Sequence, residues 1–323
     1  MIRTYHCSGL RLRPGETPPT DLRQPVWIDL EAPSAAEEAR IEAALGIEVP
    51  TREDMQEIEP SSRIWKEEGI LYLTAQILAT PDPKSLEIGP VTFMLQPERL
   101  ITVHYHRPGS FAFFADWAGH HDTPCSTGVT AFLGLMEAVV DRLADILESE
   151  ARSHEQLTRS IFESRQGSGD DLSGVIRLIG RAEDRNGKIN ESLATVQRIL
   201  AYLVTPGASA AKALLQGQQR DQLKSLIQDL RSLREVARVQ SEKIRFQLDA
   251  TLGVINIRQA DIIKIFSVVA FVFLPPTLIA SIYGMNFEHM PELSWRWGYP
   301  AALGLMLTSA IVPWALFRWK KWL

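Results

Sequence analysis

The sequence predicts an α/β domain, a stalk of long helices and two C-terminal transmembrane helices. Three observations support this fold class. Short apolar runs, bounded by Pro, Gly and charged residues, fill residues 1–125. In residues 126–261 most apolar side chains recur at helical spacing, and residues 262–323 contain two long uncharged apolar runs. We therefore divide the chain into these three parts.

The α/β prediction rests on strand-like and helix-like segments near the N-terminus. Residues 26–30, 70–75 and 100–105 are rich in apolar and β-branched side chains and are predicted strands. Residues 34–45 follow Pro33 with a serine and an acidic first turn, which predicts a helix capped by Ser34.

Long helices are predicted from Thr127 onward. A loop over residues 167–171 is expected to separate the first helix from a second that ends before Pro206. Residues 209–281 then contain no helix-breaking signal before Pro275. A helix of about 70 residues would be about 105 Å long. Such a helix needs to pack against neighbouring helices or subunits, because its apolar stripe would otherwise face water.

Two apolar runs near the C-terminus are each long enough to span a bilayer. Residues 265–283 and 298–317 carry no formal charge, and about 20 helical residues cross a hydrocarbon core of about 30 Å. Five of the eight tryptophans lie near the predicted membrane boundaries, where indole rings are favoured: Trp295, Trp297, Trp314, Trp319 and Trp322. These runs predict a membrane hairpin.

The orientation of the hairpin follows from the charges that flank it. Cations precede the first run and follow the second, whereas Arg296 is the only Lys or Arg in the connecting loop. The flanking cations are Arg258, Lys264, Arg318, Lys320 and Lys321. Because cytoplasmic flanks retain Lys and Arg, both termini and the α/β domain are predicted to be cytoplasmic.

Composition and motifs exclude several functional classes. The net charge of −5 and the pI near 5.9 give no reason to expect nucleic-acid binding. Two cysteines cannot form a disulfide framework and suit a reducing compartment. No nucleotide-binding glycine loop or nucleophile motif is evident, so we do not expect transport driven by ATP on this chain. We expect neither an enzymatic step nor a bound cofactor.

One face of the first span differs from the others. Steps of four and three residues give a stripe that we call the polar stripe: Asp249, Gly253, Asn256, Ala260, Ile263, Ser267, Ala270, Leu274, Thr277, Ser281 and Gly284. Small residues at this spacing also allow close packing of membrane helices. Because the stripe continues into Asp249 and Asn256 at one end and a polar loop at the other, we favour a pore lining. Two spans cannot enclose a pore, so a ring of subunits is required.

The loop between the spans carries a recognisable motif. Residues 283–287 read Tyr-Gly-Met-Asn-Phe, 290–293 read Met-Pro-Glu-Leu and 297–300 read Trp-Gly-Tyr-Pro. This pattern, placed between two terminal spans, resembles the signature of CorA-type magnesium transporters. The resemblance implies a funnel-shaped homopentamer in the inner membrane whose first spans line the pore. It also implies transport of Mg²⁺, with Co²⁺ and Ni²⁺ as further substrates.

The resemblance places Gly284, Met285 and Asn286 at the outer mouth. Mg²⁺ loses its water reluctantly, so the neutral amide of Asn286 and backbone carbonyls can hydrogen-bond the hydrated ion. Ile263 and Leu274 are the bulkiest residues of the polar stripe and are candidate hydrophobic constrictions, with ordinary helix packing as the alternative.

Acidic residues supply two further candidates. Glu288 and Glu292 in the loop can concentrate cations at the mouth, although solvated loop acids need no special role. The family is also thought to sense internal Mg²⁺ between neighbouring cytoplasmic domains, and Asp82 resembles one sensing position. The corresponding partner position holds Ser225, with the nearest acids a turn away at Asp221 and Asp229.

Histidines and alternative functions complete the predictions. His104 and His106 would share a face of a strand, and His120 and His121 lie near Cys125, but without a third ligand we expect structural roles.

Two other functions stay open. One is a zinc or other transition-metal transporter of the same superfamily, and the other is a membrane-anchored coiled-coil scaffold.

Overall fold

The computed structural model describes residues 1–16, 19–57, 59, 63–82, 85–163, 169–205, 215, 217–286 and 290–320, without the side chains of residues 81, 82, 157–163, 169–172, 292 and 293. The chain divides into two compact units, Met1–Gln247 and Leu248–Leu323. The three-part division expected from the sequence stays a prediction.

A seven-stranded mixed sheet forms the centre of the first unit. Its strands are β1 (Ile2–Ser8), β2 (Arg11–Pro14), β3 (Trp27–Glu31), β4 (Ile64–Glu67), β5 (Ile70–Asp82), β6 (Ser85–Leu95) and β7 (Leu100–His104). They lie in the order β2-β1-β3-β7-β6-β5-β4. Strands β3 and β7 are parallel and their neighbours are antiparallel. The three predicted strands correspond to β3, β5 and β7.

One face of the sheet is covered by two short helices. Helix α1 (Ala35–Leu45) begins with the predicted Ser34 cap, whose hydroxyl accepts a hydrogen bond from the Glu37 backbone while the Glu37 side chain bonds back to Ser34. Helix α2 (Arg52–Gln56) begins with a similar cap at Thr51. Buried residues between these helices and the sheet form one core: Ile2, Leu22, Ile28, Leu30, Ile41, Ile47, Val49, Met55, Ile70, Tyr72, Met94, Ile101 and Val103.

Long helices cover the opposite face of the sheet. Helices α3 (Gly109–His120), α4 (Gly128–Glu163) and α5 (Gly169–Val204) contribute to a second core together with the first turns of α6 (Gly217–Tyr283). Side chains alternate along each strand, so Phe93 points to this core and its neighbour Met94 to the other. The Phe93 ring meets Phe132 of α4 edge-on at 5.6 Å. This face of the sheet and helices α3 to α6 therefore share one continuous core, separate from the core beneath α1 and α2.

The predicted loop at 167–171 is partly wrong. Residues 164–168 lie outside the described residues, but 169–171 already belong to α5. Gly169, Asp170 and Asp171 read as a loop by composition, yet glycine and aspartate are both tolerated in a first helical turn, where an acid also complements the helix dipole. The predicted end of this helix before Pro206 agrees with Val204.

The second unit contains the apolar part of α6 and all of the second apolar helix, α7 (Gly298–Trp319). Helix α6 continues through Pro275 and Pro276 to Tyr283. A short 3₁₀ turn, Pro291–Ser294, precedes α7. In the described part of the chain, α6 and α7 are the two helices that are long and apolar enough to cross a membrane. Within the most apolar stretch of each helix almost no residue is fully buried in the single chain, as expected for surfaces that face lipid or another subunit.

Candidate ion pathway

The polar stripe lies on an exposed face of α6. Its predicted pore-lining residues are all exposed: Asp249, Asn256, Ile263, Ser267, Leu274, Thr277 and Ser281. The two bulkiest members, Ile263 and Leu274, are 58% and 65% exposed. The stripe is therefore not used for packing within the chain.

A different face of the same helix is buried. Val268 is 7% exposed, and half-buried side chains continue from it along the span at Val272, Pro275, Pro276 and Ile279. At about 100° per residue, this face lies on the order of 180° around the helix axis from the polar stripe. The first span therefore has one face for its own chain and an opposite face that is free in the single chain.

Helix α7 provides a neighbour for the first span. The rings of Phe271 and Phe317 meet edge-on, with centroids 5.9 Å apart. Helix α7 has its own half-buried row with helical spacing: Ala302, Met306, Ser309, Ala310, Pro313 and Phe317. This row includes small residues, which allow close approach of membrane helices.

The stripe hydroxyls are bonded to their own helix. Ser267 Oγ donates to the Ile263 carbonyl at 2.8 Å, and Thr277 Oγ1 donates to the Phe273 carbonyl at 2.7 Å. These bonds satisfy the hydroxyl protons without a partner helix. The oxygen lone pairs remain as acceptors, which suits a surface that faces hydrated cations.

The predicted mouth residues lie directly after α6. The Gly284 N–H donates to the Ala280 carbonyl at 2.9 Å and the Met285 N–H to the Ile282 carbonyl at 3.3 Å, so both residues close the last turn of the helix. A β-carbon on Gly284 would lie 3.1 Å from the Ala280 carbonyl oxygen, a tight contact. Asn286 follows without regular secondary structure, and its side chain is exposed.

The acidic loop candidates are only partly described. Glu288 lies outside the described residues. The backbone of Glu292 belongs to the 3₁₀ turn, but its side chain is not described. Ser294 ends the turn and donates from Oγ to the Pro291 carbonyl at 2.8 Å. The electrostatic role of both glutamates stays a prediction.

The backbone of the sensing candidate Asp82 pairs with Ser85 at the end of β5, but its side chain lies outside the described residues. Asp221 forms an exposed ion pair of 3.0 Å with Lys224. Ser225 and Asp229 line a cavity of about 320 Å³ between α4 and α6.

Helix α4 contributes further acids near this cavity. Glu137 and Asp141 are among the cavity residues, and Asp145 follows one turn later on α4. Desolvation, together with the carboxylates of Glu137, Asp145 and Asp229, raises the pKa of Asp141. In the described residues, no group of three or more His, Cys, Asp or Glu is arranged to hold a metal ion.

The histidines are held by protein groups. His104 is 2% exposed and its Nε2 lies 2.9 Å from Oδ1 of Asp29. His106 Nε2 lies 2.9 Å from the Ile77 carbonyl oxygen. At the end of α3, Nδ1 of His120 and of His121 each lie within hydrogen-bond distance of a backbone carbonyl one turn earlier. The contacts of the buried His104 and the half-buried His106 agree with the structural roles expected for them, whereas His120 and His121 are exposed and bond only to their own helix in the described contacts.

Sequence comparison defines the class of protein. The family model described as CorA-like Mg²⁺ transporter protein matches residues 23–321. Two curated proteins named magnesium transport protein CorA are similar to the chain. The one from Pectobacterium atrosepticum is 34% identical and covers all of both chains. The one from Escherichia coli is 35% identical over 92% of each. The chain belongs to the CorA-like Mg²⁺ transporter family.

A solved structure supports the fold. The complete CorA magnesium transporter from Methanocaldococcus jannaschii matches with a TM-score of 0.78 at 17% identity, covering 100% of this chain and 99% of the other. At this identity the likeness shows the fold alone. It confirms the predicted fold class of an α/β domain, long helices and two C-terminal apolar helices.

Sequence reasoning identified the polar stripe but did not identify the buried face that opposes it. Val268, Val272 and Ile279 recur at helical spacing, which could have indicated a buried face of the span. This spacing is hard to recognise in the sequence, because the neighbouring residues of the span are equally apolar. Sequence reasoning also did not single out Glu137, Asp141 and Asp145. Their spacing of four residues could have indicated a row of acids on one face of a helix.

Proposed function

We propose that the protein is a homopentameric channel in the inner membrane that conducts Mg²⁺ into the cell through a pore lined by the first span. The observation that carries this proposal is the position of the polar stripe, exposed and roughly opposite the buried face of α6. Membership of the Mg²⁺ transporter family supports the choice of ion.

The geometry of the stripe supports a ring of subunits. In the single chain, Ile263 and Leu274 would expose large apolar side chains beside the hydroxyls of Ser267 and Thr277. Copies arranged with this face inward would enclose a path with alternating polar and apolar levels. Apolar levels can close such a path by dewetting, so we assign Ile263 and Leu274 as constrictions.

The mouth is assigned to Gly284, Met285 and Asn286. The exposed Asn286 amide offers a neutral carbonyl acceptor to water molecules of the hydrated ion. A carboxylate there would hold Mg²⁺ more strongly and slow its release, because conduction needs binding that is weak enough to reverse. Glu288 and Glu292 would raise the local concentration of cations without entering the pore.

The membrane potential supplies the driving force. It contributes about 2.3 kcal/mol per elementary charge for each 100 mV, and so about twice that for a divalent ion. The usual negative-inside potential drives divalent cations into the cell. No step needs a bound nucleotide, cofactor or enzymatic reaction.

Two finer points belong to the same proposal. Co²⁺ and Ni²⁺ are further substrates, since a mouth that contacts the hydration shell selects mainly by size and charge. Internal Mg²⁺ acts as a regulatory ion through Asp82. Replacing Asp82 with Ala should then weaken the inhibition of uptake by internal Mg²⁺, whereas unchanged inhibition would remove Asp82 from this role.

Ion flux into liposomes tests the proposal directly. Purified full-length protein in liposomes should take up Mg²⁺ when the interior is negative, and protein-free liposomes should not. Competition experiments with Co²⁺, Ni²⁺ and Zn²⁺ rank these ions by how strongly each reduces Mg²⁺ uptake. Uptake of Zn²⁺ in preference to Mg²⁺ would favour the alternative function of a zinc transporter. An assembled protein that passes no divalent cation would favour the membrane-anchored scaffold.

A further inference from the structure

The only two cysteines of the chain lie together in the first unit. Cys7 is in β1, Cys125 lies between α3 and α4, and their Sγ atoms are 2.8 Å apart although 118 residues separate them. We propose that Cys7 and Cys125 form a reversible intramolecular disulfide when the protein is exposed to a peroxide.

Contacts near the two cysteines hold the β1–β2 turn against the segment that follows α3. The Thr123 N–H donates to the Leu10 carbonyl at 2.6 Å, and Arg11 forms an ion pair of 2.9 Å with Asp122. These bonds connect the β1–β2 turn to the segment that follows α3. The sulfurs need to move less than about 1 Å to reach the disulfide bond length of about 2.05 Å. Oxidation therefore needs little rearrangement of the fold.

The two thiols differ in access, which orders the reaction. Cys7 is partly exposed, while Cys125 is fully buried. Burial, followed by the hydrogen bond and charge of Cys7, raises the pKa of Cys125 to about 12. Cys7 is consequently the sulfur that meets the oxidant, and Cys125 is the resolving thiol.

With hydrogen peroxide the two steps balance. Cys7 sulfur attacks one peroxide oxygen, the O–O bond breaks, and the products are a Cys7 sulfenic acid and water, which carries away the thiol proton. Cys125 sulfur then attacks Cys7 sulfur, the S–O bond breaks, and a second water leaves with the Cys125 proton. Both sulfurs are oxidised in the disulfide, and one peroxide is reduced to two waters.

Thiol counting on the full-length protein in detergent tests this inference. After treatment with hydrogen peroxide, we expect both thiols to be lost, and peptide mapping without reductant should recover one linked pair containing Cys7 and Cys125. Dithiothreitol should restore both thiols. The oxidised chain should still migrate as a monomer on a denaturing, non-reducing gel.

A matched variant identifies the order of attack. In Cys125→Ser, peroxide should convert Cys7 to a sulfenic acid that dimedone traps, whereas Cys7→Ser should leave Cys125 reduced. Wild-type protein that keeps both thiols at the peroxide concentration that oxidises Cys7 in Cys125→Ser would overturn the inference. Disulfides that link separate chains would overturn it as well. If a variant fails to fold, thiol counting and peptide mapping of the wild-type protein still test whether the disulfide forms.

Discussion

Asp29 and His104 form a buried ion pair across two parallel strands, with Oδ1 of Asp29 2.9 Å from Nε2 of His104. The other ring nitrogen, Nδ1, lies 2.5 Å from the His106 carbonyl oxygen. Asp29 Oδ1 also accepts a bond of 2.7 Å from Thr102, which in turn accepts from the Trp27 indole. Both ring nitrogens of His104 face acceptors, so this arrangement suits the doubly protonated ring.

We expect this pair to make stability depend on pH. Burial lowers the pKa of His104, but the hydrogen bond and charge of Asp29, the His106 carbonyl and the charge of Glu31 outweigh it, and the net shift is upward. The resulting stabilisation is complete below the unfolded value of about 6.5 and is lost as pH rises through the folded pKa. The melting temperature of the full-length protein, measured between pH 6 and 9, should therefore fall as the pH rises.

Replacing His104 with Ala should strongly destabilise the first unit. Breaking a buried ion pair on one side costs about 3–5 kcal/mol. The buried Asp29 carboxylate would keep only the Thr102 hydroxyl and the Arg3 guanidinium, 3.7 Å away, of the partners described for it. His120→Ala is the control, since its side chain is 71% exposed, and should change stability by less than about 0.5 kcal/mol. Equal melting temperatures for the two variants would contradict the role assigned to His104.

Asp141→Asn should stabilise the protein at neutral pH. Because the folded pKa of Asp141 is raised, its charge is unfavourable above that pKa, and the penalty disappears as pH falls towards the unfolded pKa. Like charges at i, i+4 cost about 0.2–0.5 kcal/mol per pair, and Glu137 and Asp145 each form such a pair with Asp141. A thermal-unfolding gain at pH 7 that persists unchanged at pH 3 would show that charge is not the cause.

The loop between the spans should be external. In a background without Cys7 and Cys125, Ser294→Cys in intact cells should react with a membrane-impermeant maleimide, because Ser294 is exposed and the cation distribution keeps both termini inside. Lys320→Cys is the control and should react only with a permeant reagent. The reverse pattern of labelling would invert the topology.

The polar stripe should control conduction. Leu274→Asp would hydrate the proposed constriction and alter Mg²⁺ flux strongly, whereas Val272→Ala on the half-buried face should leave flux nearly unchanged. Uptake into proteoliposomes at equal protein content compares them, with oligomer size checked by gel filtration. Similar changes of flux in both variants would remove Leu274 from the pore.

Asn286→Ala should abolish most Mg²⁺ uptake while the oligomer still assembles. The change removes one acceptor per subunit, and since each hydrogen bond contributes about 1 kcal/mol, the loss of flux should be at least about tenfold. Ser294→Ala is a matched loop control, because its hydroxyl bonds only within the 3₁₀ turn in the described contacts. Normal flux through assembled Asn286→Ala would contradict the proposed mouth.

Much of the fold was predictable because local patterns control it. The Ser34 cap, the strands near Trp27 and Leu100, and the two apolar spans follow from short-range preferences. Contacts between distant segments were not predictable. Cys7 and Cys125 become neighbours only when β1 and the end of α3 meet. Asp29 and His104 likewise depend on the parallel pairing of β3 and β7. The loop prediction was wrong for residues 169–171, because composition does not distinguish a loop from a helical first turn.

The opposed faces of α6 also have a genetic consequence. The buried Val268 side chain and the Phe271–Phe317 contact lie away from the exposed Leu274 and Thr277. A mutation in the stripe can therefore leave the subunit able to fold and insert. In the proposed ring, such a subunit would enter mixed assemblies with normal copies and block a path that they share. Stripe mutations should therefore be dominant over the normal allele, whereas mutations that unfold the hairpin should be recessive.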